Sequence, residues 1–110
     1  MKVKEIVEKL NLKVLCGRDY LHKEIEGAYT CDLLSWVMSH GNKGNAWITV
    51  QVHPNVVAVA VLLELSCVII PEDIEVDEIS IQRAQSEGIP ILVSKENAYS
   101  ICSKLNELGI

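Results

Sequence analysis

Apolar residues recur at helical spacing near both ends of the chain. The first stripe follows the pattern i, i+3, i+4, i+7 and consists of Val3, Ile6, Val7 and Leu10. The last stripe consists of Ala98, Ile101, Cys102, Leu105 and Leu108. Such stripes are typical of helices that bury one face and expose the other. We therefore predict a first helix that stops at Asn11, and a last helix that Ser94 caps and Gly109 ends.

Short runs rich in β-branched and aromatic residues lie between these two segments and predict five strands. They cover residues 13–16, 25–30, 46–50, 67–70 and 89–93. Three more helices are predicted between the strands, over residues 32–41, 55–65 and 77–87. Asp32 and Asp77 are the expected N-caps of the first and third of these helices, and Gly88 ends the third.

The segment 55–65 has an ambiguous pattern. Its valines favour a strand, whereas Ala58, Ala60 and Leu62 are good helix formers. We predict a helix, with Pro54 in its first turn, because residues 67–70 supply a better strand just beyond it. This helix has almost no polar face and must be buried on two sides. Two alternatives would cover it: the first and last helices of the same chain, or a second subunit.

From the second predicted strand onward, strands and helices alternate along the chain. Their order is helix, strand, strand, helix, strand, helix, strand, helix, strand, helix. Strands that alternate with helices in this way are joined by right-handed crossovers into a largely parallel sheet. Parallel sheets are covered on both faces. We therefore predict an α/β fold, a single three-layer domain with a mainly parallel sheet and helices on both faces.

Composition and charge narrow the classes of function. The chain has 110 residues, of which 49% are hydrophobic and 23% charged, which is typical of one globular domain. A net charge of −5, with no cluster of Lys and Arg, argues against nucleic acid as a partner. The most apolar stretch, residues 56–70, is too short to span a bilayer and contains Glu64, so no membrane association is expected.

The four cysteines, Cys16, Cys31, Cys67 and Cys102, lie far apart in the sequence. None of their spacings is that of a zinc or redox motif, so we expect no metal and no cofactor. The first residues lack an apolar leader, which predicts a cytoplasmic protein with reduced thiols. We expect Cys31 to be buried and inert, because the neighbouring carboxylate of Asp32 disfavours a thiolate.

Polar residues follow the predicted strands, at the edge where α/β sheets hold their ligands. The candidate ligand-binding residues are Asp32, Thr49, Gln51, His53 and Ser94. Helix N-termini at the same edge favour an anion, so a small anionic metabolite is the expected ligand. Structural roles are open for three of them: Asp32 and Ser94 as N-caps, and His53 as a turn histidine bonded to the backbone.

No catalytic motif is present. The glycines of residues 41–45 precede a strand and lack the spacing of a phosphate loop. The nucleophile elbow, the zinc protease motif and the dinucleotide-binding fingerprint are also missing. We therefore assign no catalytic residues. The enzymatic alternative is a small enzyme that uses His53 with Asp32 or Cys31.

Several runs of residues also carry a family resemblance. They lie in segments 3–12, 25–29, 31–35, 47–51, 53–60, 88–92 and 105–110 and include Trp47-Ile48-Thr49-Val50-Gln51 and His53-Pro54-Asn55-Val56. Over nearly its whole length the sequence resembles the stand-alone members of the DRTGG domain family. The motif that gives the family its name is altered, with His22-Lys23 in place of Asp-Arg and Gly27-Ala28 in place of Gly-Gly.

The resemblance implies one three-layer domain over residues 1–110, similar to the N-terminal domain of HPr kinase/phosphorylase. Related domains in some pyrophosphatases and phosphate acetyltransferases look like regulatory or dimerisation modules beside a catalytic domain. We therefore predict a non-catalytic homodimeric regulatory module that senses a small anionic metabolite or nucleotide. The alternative is a structural subunit that docks on a metabolic enzyme or kinase.

Overall fold

A five-stranded sheet lies between two layers of helices in the computed structural model, which describes residues 1–110. In chain order the elements are α1 (Val3–Lys9), β1 (Lys13–Cys16), β2 (Gly27–Thr30), α2 (Leu34–His40), β3 (Asn45–Ile48), α3 (Pro54–Leu63), β4 (Cys67–Ile70), α4 (Glu78–Glu87), β5 (Ile91–Val93) and α5 (Ala98–Glu107). A single turn of 3-10 helix, Arg18–Tyr20, follows β1. The predicted order of helices and strands is confirmed, and so is the α/β fold class.

The strands are arranged in the order β1-β5-β4-β3-β2. Strands β2 to β5 are parallel to their neighbours, and β1 pairs antiparallel with β5 at one edge. The four parallel strands therefore follow one another in space as they do along the chain. Because successive crossovers of one hand then all lie on the same side, α2, α3 and α4 share one face of the sheet. The other face is left to α1 and α5.

Two separate hydrophobic cores reflect this division. The core beneath α2, α3 and α4 includes Val37, Trp47, Val57, Val68 and Ala84. The core beneath α1 and α5 includes Ile6, Ile48, Ile69, Leu92 and Leu105. Alternate residues of each inner strand enter opposite cores, so every residue of β3, β4 and β5 is buried. This is why the strand signals in the sequence are continuous apolar runs.

The apolar helix α3 lies in the middle of its layer, between α2 and α4. Of the two alternatives for its cover, the first and last helices are excluded, because α1 and α5 pack on the opposite face of the sheet. Four of its residues are buried: Val56, Val57, Val59 and Ala60. Its outer side is apolar as well, since Val61 is 39% and Leu62 is 63% exposed.

Two helix starts differ from the prediction. Ser94 does not cap α5, because its N–H still bonds to Ile70 O (2.8 Å) as a continuation of the sheet. The N-cap is Asn97, whose side chain accepts from Ser100 N (2.9 Å). Asp32 does not cap α2 either; the cap position is Leu33, and the carboxylate of Asp32 bonds elsewhere. Asp77 does precede α4, but its side chain makes no capping hydrogen bond.

The helix ends agree better with the sequence. Gly88 ends α4 with φ of 73°, and Gly109 follows α5 with φ of 87°, as expected for glycines after helices. None of the helices has the length and apolar character needed to cross a bilayer.

Gly17, directly after β1, packs closely against Pro90, directly before β5. A substitution at Gly17 tests this contact. The φ of Gly17 is 79°, and a Cβ at this position would lie 2.6 Å from Pro90 Cα. We expect Gly17→Ala to lower the free energy of unfolding by more than about 2 kcal/mol, because the left-handed backbone costs roughly 1–2 kcal/mol and the clash adds to it. Urea denaturation measures the loss.

The matched control is Gly109→Ala. Gly109 has φ of 87°, but no atom lies within 4 Å of the point that a Cβ would occupy, so only the backbone cost applies. Equal losses of stability in the two variants would contradict the close approach of Gly17 to Pro90.

Candidate functional site

Three of the five candidate residues meet where β2 and β3 end. Thr49 Oγ1 donates to Asp32 Oδ1 (2.8 Å), and Val50 N donates to the same oxygen (2.9 Å). Gln51 Nε2 donates to Asp32 O (3.1 Å), and Gln51 N donates to Thr49 Oγ1 (3.1 Å). We call Asp32, Thr49 and Gln51 the Asp32 clasp. Their hydrogen bonds join the loop after β2 to the loop after β3.

The chemistry of the Asp32 clasp is structural. Thr49 is only 2% exposed, and its hydroxyl is used both as a donor and as an acceptor. The carboxylate of Asp32 stabilises the turn by accepting two hydrogen bonds at one oxygen. A carboxylate also repels an anion at short range. The clasp therefore orients the loops at this edge and is poorly suited to receive an anionic ligand.

His53 lies at the start of α3. Its Nδ1 accepts from Asn55 N (3.3 Å), so the side chain caps the helix, and Pro54 occupies the first helical position. A neutral ring that accepts at Nδ1 carries its proton on Nε2. The structural interpretation of His53 as a turn histidine bonded to the backbone is confirmed. No hydrogen bond joins His53 to Asp32 or Cys31.

Ser94 lies apart from the other four candidates. It follows β5, which β4 separates from β3, so roughly 10 Å of sheet lies between Ser94 and Thr49 at about 4.8 Å per strand. The sequence predicts all five residues at one edge of the sheet, but a ligand crevice opens at that edge only where the strand order reverses. The parallel strands follow one another without a reversal, and the five residues are therefore not brought together.

A cleft of about 220 Å³ opens beside Ser94, between the end of α1, the loop after β5 and Lys104 of α5. We call it the lysine cleft; it is lined by Lys9, Leu10, Asn11, Ser94, Lys95, Glu96 and Lys104. Ser94 Oγ accepts from Glu96 N (3.0 Å), and Lys104 Nζ lies 2.6 Å from Glu96 Oε2. Three of its lining residues are cationic, which makes this cleft the part of the predicted rim that suits an anion.

Sequence reasoning missed Lys9 and Lys104. Each stands on the polar side of an amphipathic helix, where lysine is ordinary. Only the packing of α1 and α5 on the same face of the sheet brings them to one cleft. The one signal in the sequence was Lys95, directly after Ser94 at a strand end.

A second charged cleft lies near the opposite ends of the strands. It has a volume of about 440 Å³, and its charged lining residues are Lys23, Glu24, Glu26, Lys43, Glu64 and Glu87. Lys23 Nζ donates to Gly88 O (2.9 Å), and burial lowers the pKa of the Lys23 ammonium. This cleft carries more carboxylates than ammonium groups, so it disfavours an anionic ligand.

The cysteines form no reactive site. All four thiols are free, and burial raises the pKa of Cys67 to about 12 and also raises that of Cys16. Cys31 is half-buried rather than buried, because it lies in the loop between β2 and α2. Its carbonyl oxygen accepts from Trp47 Nε1 (2.9 Å), which holds this loop over the core. No group of three His, Cys, Asp or Glu side chains is placed to hold a metal ion.

Removal of the clasp carboxylate tests its structural role. We expect Asp32→Ala to lower the free energy of unfolding by about 1–3 kcal/mol, because Thr49 Oγ1 and Val50 N lose a charged acceptor. Urea denaturation at neutral pH measures this loss.

Asp77→Ala is the matched control. Asp77 also precedes a helix, but its side chain makes no capping hydrogen bond, so we expect a change within about 0.5 kcal/mol. An unchanged free energy of unfolding in Asp32→Ala would show that the clasp does not stabilise the fold.

Comparison with known proteins adds a family and a fold. The sequence model of the DRTGG domain matches residues 5–108. No curated protein matches this chain. Among solved structures, the chain is similar to the CBS and DRTGG domains of the regulatory region of Clostridium perfringens pyrophosphatase, complexed with the activator diadenosine tetraphosphate.

The likeness to that structure lies in the fold. The TM-score is 0.71 at 13% sequence identity, and the match covers 94% of this chain. It covers 45% of the other chain, so the present chain spans less than half the length of that neighbour.

Proposed function

The chain belongs to the DRTGG domain family, and on this premise we propose that it is a non-catalytic regulatory module that binds a small anionic metabolite or nucleotide. The observation that carries the proposal is the extent of the family match, which takes in residues 5–108. The similar structure from Clostridium perfringens is a regulatory region complexed with a nucleotide activator, which supports an anionic nucleotide as the class of ligand.

The hydrogen bonds of His53 and Asp32 also disfavour a catalytic role for either residue. A general base must have a free lone pair within reach of the proton that it removes. The Nδ1 lone pair of His53 is used to cap α3, and the Oδ1 atom of Asp32 already accepts two hydrogen bonds. Both side chains accept hydrogen bonds from backbone N–H groups, so we expect their removal to lower the free energy of unfolding.

Three further features complete the proposal. The module is cytoplasmic, it resembles the N-terminal domain of HPr kinase/phosphorylase, and it forms a homodimer. The support for the first is that all four thiols are free, as is typical of proteins in a reducing compartment. The support for the second is the resemblance that segments such as 3–12 and 53–60 carry.

The homodimer is proposed to form through the outer side of α2 and α3. Trp36 and Met38 of α2 are 50% and 45% exposed, and Leu62 of α3 is 63% exposed. Helix α3 carries no charged residue, and its one polar side chain, Asn55, lies in the first turn, so the contact that its outer side offers a partner is mainly apolar. A second copy of the chain supplies the same apolar surface, as a two-fold interface requires. Aromatic residues and Met are enriched in such interfaces.

Ligand binding is tested by thermal unfolding with AMP, ATP, diadenosine tetraphosphate and acetyl phosphate. A ligand at ten times its Kd adds about 1.4 kcal/mol to the free energy of unfolding, because it binds only the folded state. We therefore expect at least one of them to raise the Tm by roughly 5 °C. Sodium chloride of equal ionic strength is the control. No rise in Tm with any of these compounds at millimolar concentration would refute the proposed function.

The oligomeric state is tested by size-exclusion chromatography with light scattering at about 100 µM chain. We expect twice the chain mass of 12.2 kDa for the wild type and the single mass for Leu62→Glu, because a carboxylate at the centre of the contact is costly to desolvate. Tyr99→Glu is the matched control, since Tyr99 is 83% exposed on α5 in the opposite layer and should leave the dimer intact. A monomeric wild type contradicts the dimer.

A further inference from the structure

The lysine cleft has a charge opposite to that of the chain. It is lined by three lysines and one glutamate, whereas the chain carries a net charge of −5. Each of the other charged clefts carries more carboxylates than lysine ammonium groups. A concave surface of one sign concentrates ions of the opposite sign. The lysine cleft is therefore the concavity of this surface that attracts an anion.

Two of the three ammonium groups have no carboxylate partner. Lys104 Nζ is paired with Glu96, whereas no carboxylate lies within 4.0 Å of the Lys9 or Lys95 ammonium. The two free charges stand on different elements, at the end of α1 and after β5. Like charges in one cleft repel each other, and an anion between them offsets this repulsion by attracting both. A bound anion would supply the missing partner for both.

Hydrogen-bond donors with no acceptor accompany these charges. The N–H of Ser94 bonds to Ile70 O, and that of Glu96 bonds to Ser94 Oγ, but the N–H of Lys95 has no acceptor in the protein. The hydroxyl of Ser94 accepts one hydrogen bond and donates none. It lies in the cleft wall and is 3% exposed. A backbone N–H, a serine hydroxyl and ammonium groups are the donors that hold phosphate oxygens in proteins.

The size of the cleft limits what it can hold. Pockets that enclose a whole drug-sized ligand have volumes of roughly 300–1,000 Å³. The lysine cleft, at about 220 Å³, is smaller and open, which suits one phosphate group rather than a whole nucleotide.

We propose that the lysine cleft binds a phosphate group, free or at the end of a small phosphate ester, between Lys9 and Lys95. Ser94 Oγ and the N–H of Lys95 donate to its oxygens. Glu96 is the one repelling charge in the cleft and is held by Lys104. The assignment rests on the proposed function, because it locates the anionic ligand of the regulatory module and names its charged group.

Isothermal titration calorimetry with inorganic phosphate and with AMP tests the assignment. We expect Lys9→Gln and Lys95→Gln each to weaken binding about 3- to 10-fold, because each removes one ammonium partner of the phosphate. We expect Glu96→Gln to strengthen binding, because it removes the repelling carboxylate. The affinity of the wild type should fall as salt is raised.

Lys4→Gln is the matched control. Lys4 lies on α1 like Lys9 but lines a different cleft, and its replacement changes the net charge by the same amount. We expect its affinity to equal that of the wild type. Equal losses of affinity in Lys4→Gln and Lys9→Gln would show that only the net charge of the chain matters. That result would overturn the lysine cleft as the binding site.

The outcomes separate this assignment from the function on which it rests. If a nucleotide or acyl phosphate raises the Tm of the wild type and Lys9→Gln and Lys95→Gln bind it unchanged, the regulatory function stands and the cleft assignment is overturned. If no phosphate compound binds the wild type, both fail. Binding of inorganic phosphate as tight as that of AMP would identify free phosphate as the ligand, and tighter binding of AMP would identify an ester; either supports the cleft.

Discussion

The inner strands of the sheet are apolar on both sides, so both faces of the sheet must be covered. The arrangement of all five helices follows from this requirement. Every residue of β3, β4 and β5 is buried, so a bare face would expose a continuous apolar surface to water. The crossovers from β2 to β5 all advance in one direction, which places α2, α3 and α4 on the same face. The two ends of the chain must then supply the second layer, and α1 and α5 do so.

The position of the candidate site follows from this arrangement. In sheets with a reversal of strand order, neighbouring loops diverge and open a ligand crevice. Here the loops after β2 and β3 remain adjacent and are closed by the Asp32 clasp, through the hydrogen bonds of Asp32 to Thr49 and Val50. The open, positively lined concavity forms instead where the two terminal helices meet at the end of β5. The fold thus places the proposed anion site on the side of the sheet that the chain ends cover.

The sequence predicted the elements well because their signals are local. The bounds of β1 and β4 match their apolar runs, and Gly88 ends α4 as its position indicates. The caps of α2 and α5 were wrong because competing hydrogen bonds from other segments decide them: Ile70 O holds the N–H of Ser94, and Thr49 and Val50 engage Asp32. The lysine cleft could not be predicted from the sequence, because it depends on which helices share a face of the sheet. No local sequence pattern carries that information.

The proposed anion site lies at the end of β5 between α1 and α5, and not at the Asp32 clasp. Titration of the ¹⁵N-labelled protein with phosphate, followed residue by residue through the backbone amide signals, tests it most directly. We expect the largest and saturable shifts at residues 9–11, at 94–97 and at Lys104, with little change at Asp32 and residues 49–53. Shifts concentrated at Asp32, Thr49, Gln51 and His53, with residues 94–97 unmoved, would contradict it.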